Sequence, residues 1–580
     1  MIQVIVLEGN AVTDDSSPAS VVLKTLSYHT SSSKESVLAP SRIFHVEKAN
    51  EESPRESPPS KGKIYSLHIH SDIQSRFATT EINSRIANPD VNSTEITFSV
   101  LLPNAAFISN FSMTIKGEVI VGEVKEKEKA KVDYERAKAA GQSAGIVEQK
   151  PRETNNFQIS VNVEAQSKVD FRLTYQELLQ RVHGVYKHVI NVQPGQIVQD
   201  MKISVLLKEQ GKLTKLSVPG IQKDLGEKTN KELLSLTSDE SEGVTIDTFT
   251  QDDVSIAKID YEPSLEKQKD KGEGKGLDSQ FVVLYDVERG NDGGTLQVVN
   301  GYFVHFFAPA GIDVGNKHVV FVLDKSGSMR GTKMDQTKAA MRRILSDMNE
   351  ADYFNLLIFS DSVEFWKEES LLASKENVQA AIDYVEAIDA FGGTNINEAL
   401  IKGIQVLNET ADTDAEVVLT SLLIFLTDGE ATSGVYEDSD ADLQLEGFYG
   451  EISNPLLSKV KIEYLNETVD PESLTSGQDV FYDYHKGGEY VIAGKLEKTP
   501  EEPQLYADIT ARSANGDVHY RMPCILPPVV IPVEETGESP VPPGSVGGFI
   551  ERTWAYLTIK RLLDRSKFGE DNSTEADLLR

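Results

Sequence analysis

Three short segments carry side chains that could hold a hard divalent cation. The first is Asp324-Lys325-Ser326-Gly327-Ser328, directly after the apolar run Val319-Val320-Phe321-Val322-Leu323. One carboxylate and two hydroxyls on a tight, glycine-containing turn are oxygen donors, the ligand chemistry that Mg2+ and Ca2+ require. The second is Phe391-Gly392-Gly393-Thr394-Asn395, where Thr394 stands as a helix N-cap or as another hydroxyl ligand. The third is Leu422-Leu423-Ile424-Phe425-Leu426, a second apolar run, ending in Thr427-Asp428-Gly429. Each piece alone has an ordinary explanation: Ser and Gly after a strand make a turn, and Thr before a helix makes a cap. In an open α/β sheet, however, ligands bind beyond the carboxyl ends of the strands, where these residues fall.

The elements that must position them follow from periodicity. The run Val319–Leu323 predicts a buried strand ending at Asp324. Met334, Met341, Ile344, Leu345 and Met348 share one face of a helix predicted over 332–348. Further helices are expected over 376–388 and 395–408, and further strands ending near Ser360 and Asp428. This alternation of strand and helix from 317 onward predicts a doubly wound α/β sheet.

Upstream, apolar residues alternate at Tyr65-Leu67-Ile69, Ile96-Phe98-Val100, Phe157-Ile159-Val161-Val163 and Val169-Phe171-Leu173-Tyr175. That pattern predicts a mostly β, sandwich-like domain over 63–193. A charged helix, Glu123 to Ala140, covers it, and Gly141 ends the helix. Residues 194–312 read as a β region, with Val298–Phe307 one strong strand and Leu265–Gly276 a mobile charged loop. Residues 453–546 return to short strands. Residues 547–580 hold a helix, with Ile550, Trp554, Leu557, Ile559 and Leu562 largely on one side, and a tail. Residues 1–62 are atypical, and Ala49–Lys63 is a disordered linker by composition.

Composition narrows the function. The 580 residues carry a net charge of −33, a field that opposes nucleic acid and anionic membranes and favours cations or basic partners. No apolar run approaches the length of a membrane span. A single cysteine, Cys524, excludes an intramolecular disulfide and a cysteine-based zinc site, and reads as a packed, inert thiol. His68 and His70 lie on the polar face of one strand, where a solvated pair is expected. No clear signal peptide opens the chain. Asn92, Asn110, Asn408, Asn466 and Asn572 stand in N-glycosylation sequons, used only if the chain is secreted.

Asp-x-Ser-x-Ser, Gly-Gly-Thr and Thr-Asp-Gly, in this order, resemble the metal-ion-dependent adhesion site of von Willebrand factor A domains. Gly122 to Ala130, Thr154 to Phe157 and Leu173 to Leu179 resemble the vault/inter-alpha-trypsin (VIT) domain. Gly301 to Pro309, Leu445 to Tyr449 and Trp554 to Ile559 complete the resemblance to inter-alpha-trypsin inhibitor heavy chains.

The resemblance implies a VIT domain over 63–193 and an A domain over 313–452, set into a β domain formed by its flanks. It implies a non-enzymatic, secreted, cation-binding protein associated with hyaluronan and extracellular matrix. The metal set becomes Asp324, Ser326, Ser328, Thr394 and Asp428. Mg2+ (or Mn2+ or Ca2+) would be held directly by the hydroxyls and mainly through water by the two acids. An acidic group on a protein partner would complete the coordination.

Two departures qualify this. The family's C-terminal Asp-Pro-His-Phe segment has no counterpart, so covalent transfer to hyaluronan is not expected of this chain. The A domain also lacks room for its last strand and helix: about 40 residues are missing, because a parallel crossover needs a dozen or more residues plus its strand. An unpaired sheet edge is the expected result. Two other functions compete. An intracellular VIT/A-domain scaffold would suit the lone cysteine. An Asp324-nucleophile phosphotransferase would need a second acid where Ser326 stands. No G-x-S-x-G elbow supports a serine hydrolase.

Overall fold

The structure, a computed structural model, describes residues 3–9, 22–26, 63–103, 106–122, 127–149, 156–219, 221–222, 233–234, 243–251, 253–271, 276–410, 418–427, 452–465, 469–476, 480–497, 505–523 and 548–568. Two compact units form: Ser31–Leu179 with Tyr186–Val287, and Met1–Thr30 with Gln180–Val185 and Glu288–Arg580.

Side-chain alternation builds the first unit. In the strand Lys63–Gln74, Leu67, Ile69 and Ile73 all turn inward, as a period of two requires. This strand lies inside an eight-stranded sheet. The order is Val244–Gln251, Val254–Tyr261, Asp200–Gln210, Lys63–Gln74, Phe77–Asn88, Ser167–Leu178, Phe107–Ile115 and Glu118–Val121. Neighbours run antiparallel except Asp200–Gln210, which is parallel to Lys63–Gln74. In a second layer Val185–Val192 pairs with Ser279–Val287. One apolar core, including Ile69, Ile82, Phe171, Ile190 and Phe281, fills the space between the layers. The sandwich extends past residue 193, because the strands at 200–210 and 244–261 lengthen its sheet instead of starting another.

Three local features differ from the sequence reading or refine it. The helix expected from Glu123 spans Lys127–Ala139 among the described residues, and Gly141 follows with φ of 70°. The expected mobile loop at Leu265–Gly276 opens with a helix, Leu265–Lys271. Buried Gln268 anchors that helix: its Oε1 accepts from the Val198 N–H, and its Nε2 donates to the Val198 carbonyl, both at 2.9 Å. His68 is not simply solvated, since its Nε2 lies 3.0 Å from Asp200 Oδ2.

The second unit holds the predicted α/β sheet. Its elements are β1 (Gln3–Gly9), β2 (Val22–Leu26), β3 (Asn316–Asp324), α1 (Thr332–Ser346), β4 (Tyr353–Phe359), α2 (Lys375–Glu386), α3 (Ile396–Thr410) and β5 (Val418–Thr427). The sheet order is β2-β1-β5-β3-β4, with Val363–Phe365 beyond. β3 runs parallel to both β4 and β5. Every β3 residue from Lys317 to Asp324 is buried, as a strand covered on both faces must be. Val319, Phe321 and Leu323 pack with Met341 and Ile344 of α1 on one face. Val320 and Val322 pack with Ala399 and Val406 of α3 on the other.

The expected open edge beyond β5 is occupied. β1 pairs antiparallel along β5 from Gly9↔Ser421 to Gln3↔Thr427, and β2 pairs outside β1. The unpaired N–H and C=O groups of β5 thus find partners in the atypical N-terminal segment. Residues 428–451, which follow β5, and Cys524 lie outside the described residues.

Segments at 295–307 and 455–523, on either side of the α/β sheet, form one β domain, while residues 194–287 of the expected upstream β region belong to the first unit. Pro455–Leu465, Val480–His485, Tyr506–Ser513 and Gly516–Pro523 make a four-stranded sheet. Thr295–Val299, Tyr302–Phe307 and Tyr490–Lys495 make a three-stranded one. A single core with Leu296, Phe303, Leu457, Ile492 and Ile509 joins them. The strand expected over Val298–Phe307 is instead a hairpin. Asn300 and Gly301 take φ of 53° and 79°, the left-handed pair that a two-residue hairpin turn demands. The C-terminal helix α4 (Gly548–Phe568) docks by Trp554, whose Nε1 donates to the Ser473 carbonyl at 2.8 Å.

At the start of the α/β sheet, Lys317 and Asp352 form an ion pair with both side chains fully buried. Asp352 also accepts from the Lys317 and Asn349 N–H groups. Burial pushes the Lys317 ammonium down from its ordinary value, against the pull of Asp352. Removing one member strands the other in the core. Asp352→Ala should therefore cost about 3–5 kcal/mol of stability, read from urea unfolding.

Two buried histidines set an acid limit. Burial pushes His305 and His318 down to about 4, from 6.5. The folded state keeps them neutral where the unfolded state takes up protons, so stability is full above pH 6.5 and lost as pH falls toward 4. His318→Asn should reduce the slope of unfolding free energy against pH in that window by about one proton.

Candidate metal centre

Asp324 ends β3 with its side chain fully buried. Its Oδ1 accepts from the Ser326 N–H at 2.7 Å, and its Oδ2 accepts from the Thr427 hydroxyl at 2.6 Å. These bonds fix the carboxylate at the junction of β3 and β5, two neighbouring parallel strands. Thr427 was not singled out in the sequence; its signal is that it is the last residue of an apolar strand, directly before an acid.

The turn after β3 brings the two serines together. Ser326 is buried and Ser328 is exposed, and their hydroxyl oxygens lie 2.9 Å apart. Adjacent ligands of an octahedral Mg2+ with bonds of 2.0–2.1 Å stand about 2.9 Å apart, the bond length times the square root of two. The two hydroxyls are hydrogen-bonded to each other, and their spacing is also that of one edge of a Mg2+ octahedron. Beside it lies a carboxylate that is held rigid but buried, as suits an acid acting through intervening water. The donors present fit a hard divalent cation.

The second segment is tied to the first by backbone. The Phe391 N–H donates to the Lys325 carbonyl at 2.7 Å, and the Gly327 N–H donates to the Gly392 carbonyl at 3.0 Å. The Asn395 N–H reaches the Ser360 carbonyl at the end of β4 at 2.7 Å. Asn395, not Thr394, caps α3: its Oδ1 accepts from the Glu398 N–H at 3.3 Å. The cap expected of Thr394 is therefore supplied by its neighbour. Thr394 is exposed on the loop and keeps its role as a candidate ligand. Asp428 lies outside the described residues, one position beyond Thr427.

Lys325 locks this arrangement. Its side chain is buried, its Nζ lies 2.7 Å from Glu364 Oε1, and it sits 4.6 Å from the centre of the Phe391 ring. Among the other expected sites, Asn92 and Asn110 are exposed. Asn408 falls in α3, and Asn466 and Asn572 lie outside the described residues.

One arrangement with catalytic dimensions escaped the sequence reading. His188 places Nε2 2.9 Å from Ser71 Oγ and Nδ1 2.7 Å from Glu177 Oε1. Those are the lengths of a nucleophile, base and orienting acid. Ser71 and His188 are fully buried, however, and Ser71 also bonds Thr80 at 3.0 Å, so no substrate reaches the hydroxyl. The set is an internal strut across the strands of the first unit.

Comparison with known proteins places these features. A sequence model described as "Vault protein inter-alpha-trypsin domain" matches residues 64–175, and one described as "von Willebrand factor type A domain" matches 318–448. The chain is 36% identical over 565 residues to inter-alpha-trypsin inhibitor heavy chain H3 of Homo sapiens, covering 88% of this chain and 60% of that one. It is 36% identical over 567 residues to heavy chain H4 of Bos taurus, covering 88% and 58%. The chain thus spans about three fifths of the length of these relatives. Among solved structures, a von Willebrand factor type A protein from Catenulispora acidiphila matches at 13% identity with a TM-score of 0.27, covering 41% of this chain and 72% of that one. That overlap is too low to carry an argument.

Gly392 turns the second segment in the left-handed region of backbone space. It has φ of 90°, and an added Cβ would fall 2.7 Å from Asp361 Oδ2 and 3.1 Å from Ser360. Gly392→Ala should therefore cost about 1–3 kcal/mol of stability, read from the thermal midpoint. Gly327→Ala, whose Cβ meets only the Gly392 carbonyl at 3.4 Å, should cost less.

Proposed function

We propose, from the premise that this chain is a relative of the inter-alpha-trypsin inhibitor heavy chains and carries their VIT and A domains, that it is a non-enzymatic, cation-dependent binding protein of the extracellular matrix. One observation carries the reading. Ser326 and Ser328 hold their hydroxyls at octahedral-edge spacing beside the buried Asp324 carboxylate, where two parallel strands end.

In this reading Ser326, Ser328 and Thr394 bind Mg2+ directly, while Asp324 and Asp428 orient bound water. Mn2+ or Ca2+ substitutes for Mg2+. The ion supplies an electrophilic position at the protein surface. Only two carboxylates attend it, so it keeps enough positive charge to take an acidic group from a partner. That contribution matters in a chain of net charge −33, which otherwise repels carboxylates. Ser326 stands where a phosphotransferase would need its second acid, and the buried Ser71 is closed to substrate; both features support a binding role over catalysis. The resemblance to the heavy chains supports an extracellular setting and association with hyaluronan, and in that setting the exposed sequons at Asn92 and Asn110 are used. The partner is a matrix protein with an exposed carboxylate.

Thermal unfolding of the intact chain with and without Mg2+ tests the site. An ion that binds only the folded state at a concentration 100 times its Kd stabilises by about 2.7 kcal/mol, so the midpoint of the α/β transition should rise. Ser328→Ala removes an exposed hydroxyl and should leave the metal-free midpoint within ~0.5 kcal/mol of the parent while abolishing the rise. A rise that survives in Ser328→Ala, or no rise in the parent, would overturn the assignment.

A further inference from the structure

The edge beyond β5 offers an inference that rests on reading the serine pair as a metal site. The parallel ladder between β3 and β5 ends at Leu323↔Leu426, one residue short of Thr427. The antiparallel ladder between β1 and β5 reaches one residue further, pairing Gln3 with Thr427. Thr427 donates the 2.6 Å hydrogen bond that holds Asp324 Oδ2, and the candidate ligand Asp428 follows it directly. The residue that holds the Asp324 carboxylate is therefore paired by the N-terminal strand, from a segment more than 400 positions away in sequence.

We propose that β1 is a positioning element of the metal centre. By pairing Gln3 with Thr427 it holds the end of β5 in register, and so sets the affinity for the divalent ion. Its second effect is to occupy an edge that would otherwise present unpaired backbone groups next to the site. β1 contributes no ligand. It fixes Thr427, which fixes the water-orienting Asp324. Losing a partner that orients a metal-binding group typically lowers metal affinity about 10–100-fold, and β1 acts by holding such a partner.

Two variants of the intact chain separate this role from general stability. Deleting residues 1–10 removes β1 and leaves β2 with no neighbour in the sheet. Gln3→Pro alters the one β1 residue that faces Thr427, at the first strand position where proline is tolerated, and so spares the rest of the ladder. Mn2+ is the probe, its Kd read by electron paramagnetic resonance of the free ion, with urea unfolding in EDTA as the structural control.

The proposal expects a Kd at least tenfold weaker in the deletion, and a smaller weakening in Gln3→Pro whose metal-free stability stays at the parent value. A synthetic peptide of residues 1–10 added to the deletion should restore the parent Kd. Equal Kd values in parent, deletion and Gln3→Pro would overturn it. If the deletion fails to fold, Gln3→Pro decides alone. If the parent binds no Mn2+ that Ser328→Ala abolishes, the metal reading itself falls and this inference falls with it; weakened stability with unchanged Kd sinks only the role of β1.

Discussion

The carboxylate of Asp324 is the constraint around which the α/β sheet is organised. A buried carboxylate is tolerable only when its oxygens are hydrogen-bonded. Here one oxygen takes the Ser326 N–H and the other the Thr427 hydroxyl. The first bond winds the turn that sets the serine hydroxyls side by side. The second joins the ends of β3 and β5. Both strands must then finish level with each other, which their parallel register and their shared apolar layers, Val319 to Leu323 against Leu422 to Leu426, bring about. The rest of the site follows from backbone bonds, as the loop of Gly392 hangs from Lys325 and Gly327.

This division of labour explains which parts of the site are rigid. Asp324 and Ser326 are buried and bonded within the sheet, whereas Ser328 and Thr394 are exposed on turns. The candidate metal face thus pairs a fixed acid with hydroxyls at the solvent boundary, where an incoming group has access. Lys325, between two motif residues, turns its charge to Glu364 and Phe391 and serves the loop instead of the ion.

Much of this was legible in the sequence, and the reasons differ by element. α1, α2 and α3 lie close to their expected ranges because amphipathic periodicity is strong and local. The strand Lys63–Gln74 was legible from its alternation for the same reason. The hairpin at Asn300-Gly301 was hidden by its own apolar flanks, although the Asn-Gly pair itself was the turn signal. Thr394 reads as either a cap or a ligand, and the cap falls one residue later at Asn395, since both Thr and Asn are good caps and spacing alone does not choose. The pairing of β1 with β5, and the meeting of Ser71, His188 and Glu177, are contacts between distant segments. No local pattern encodes them, so the edge of the sheet could be expected but its occupant could not.

The N-terminal strand also bears on the order in which the chain is made. Gln3 leaves the ribosome hundreds of residues before Thr427, its partner in the ladder. At synthesis rates of about 5–20 residues per second, β1 waits on the order of 20–80 s for β5 to appear. During that interval the first unit, which lies wholly between them in sequence, has time to complete its sandwich. The sheet that carries Asp324 consequently closes only after the first unit has been made, and its closure joins two strands synthesised more than 400 residues apart. Any event that occupies the early segment in the meantime acts on a sheet edge that has not yet formed.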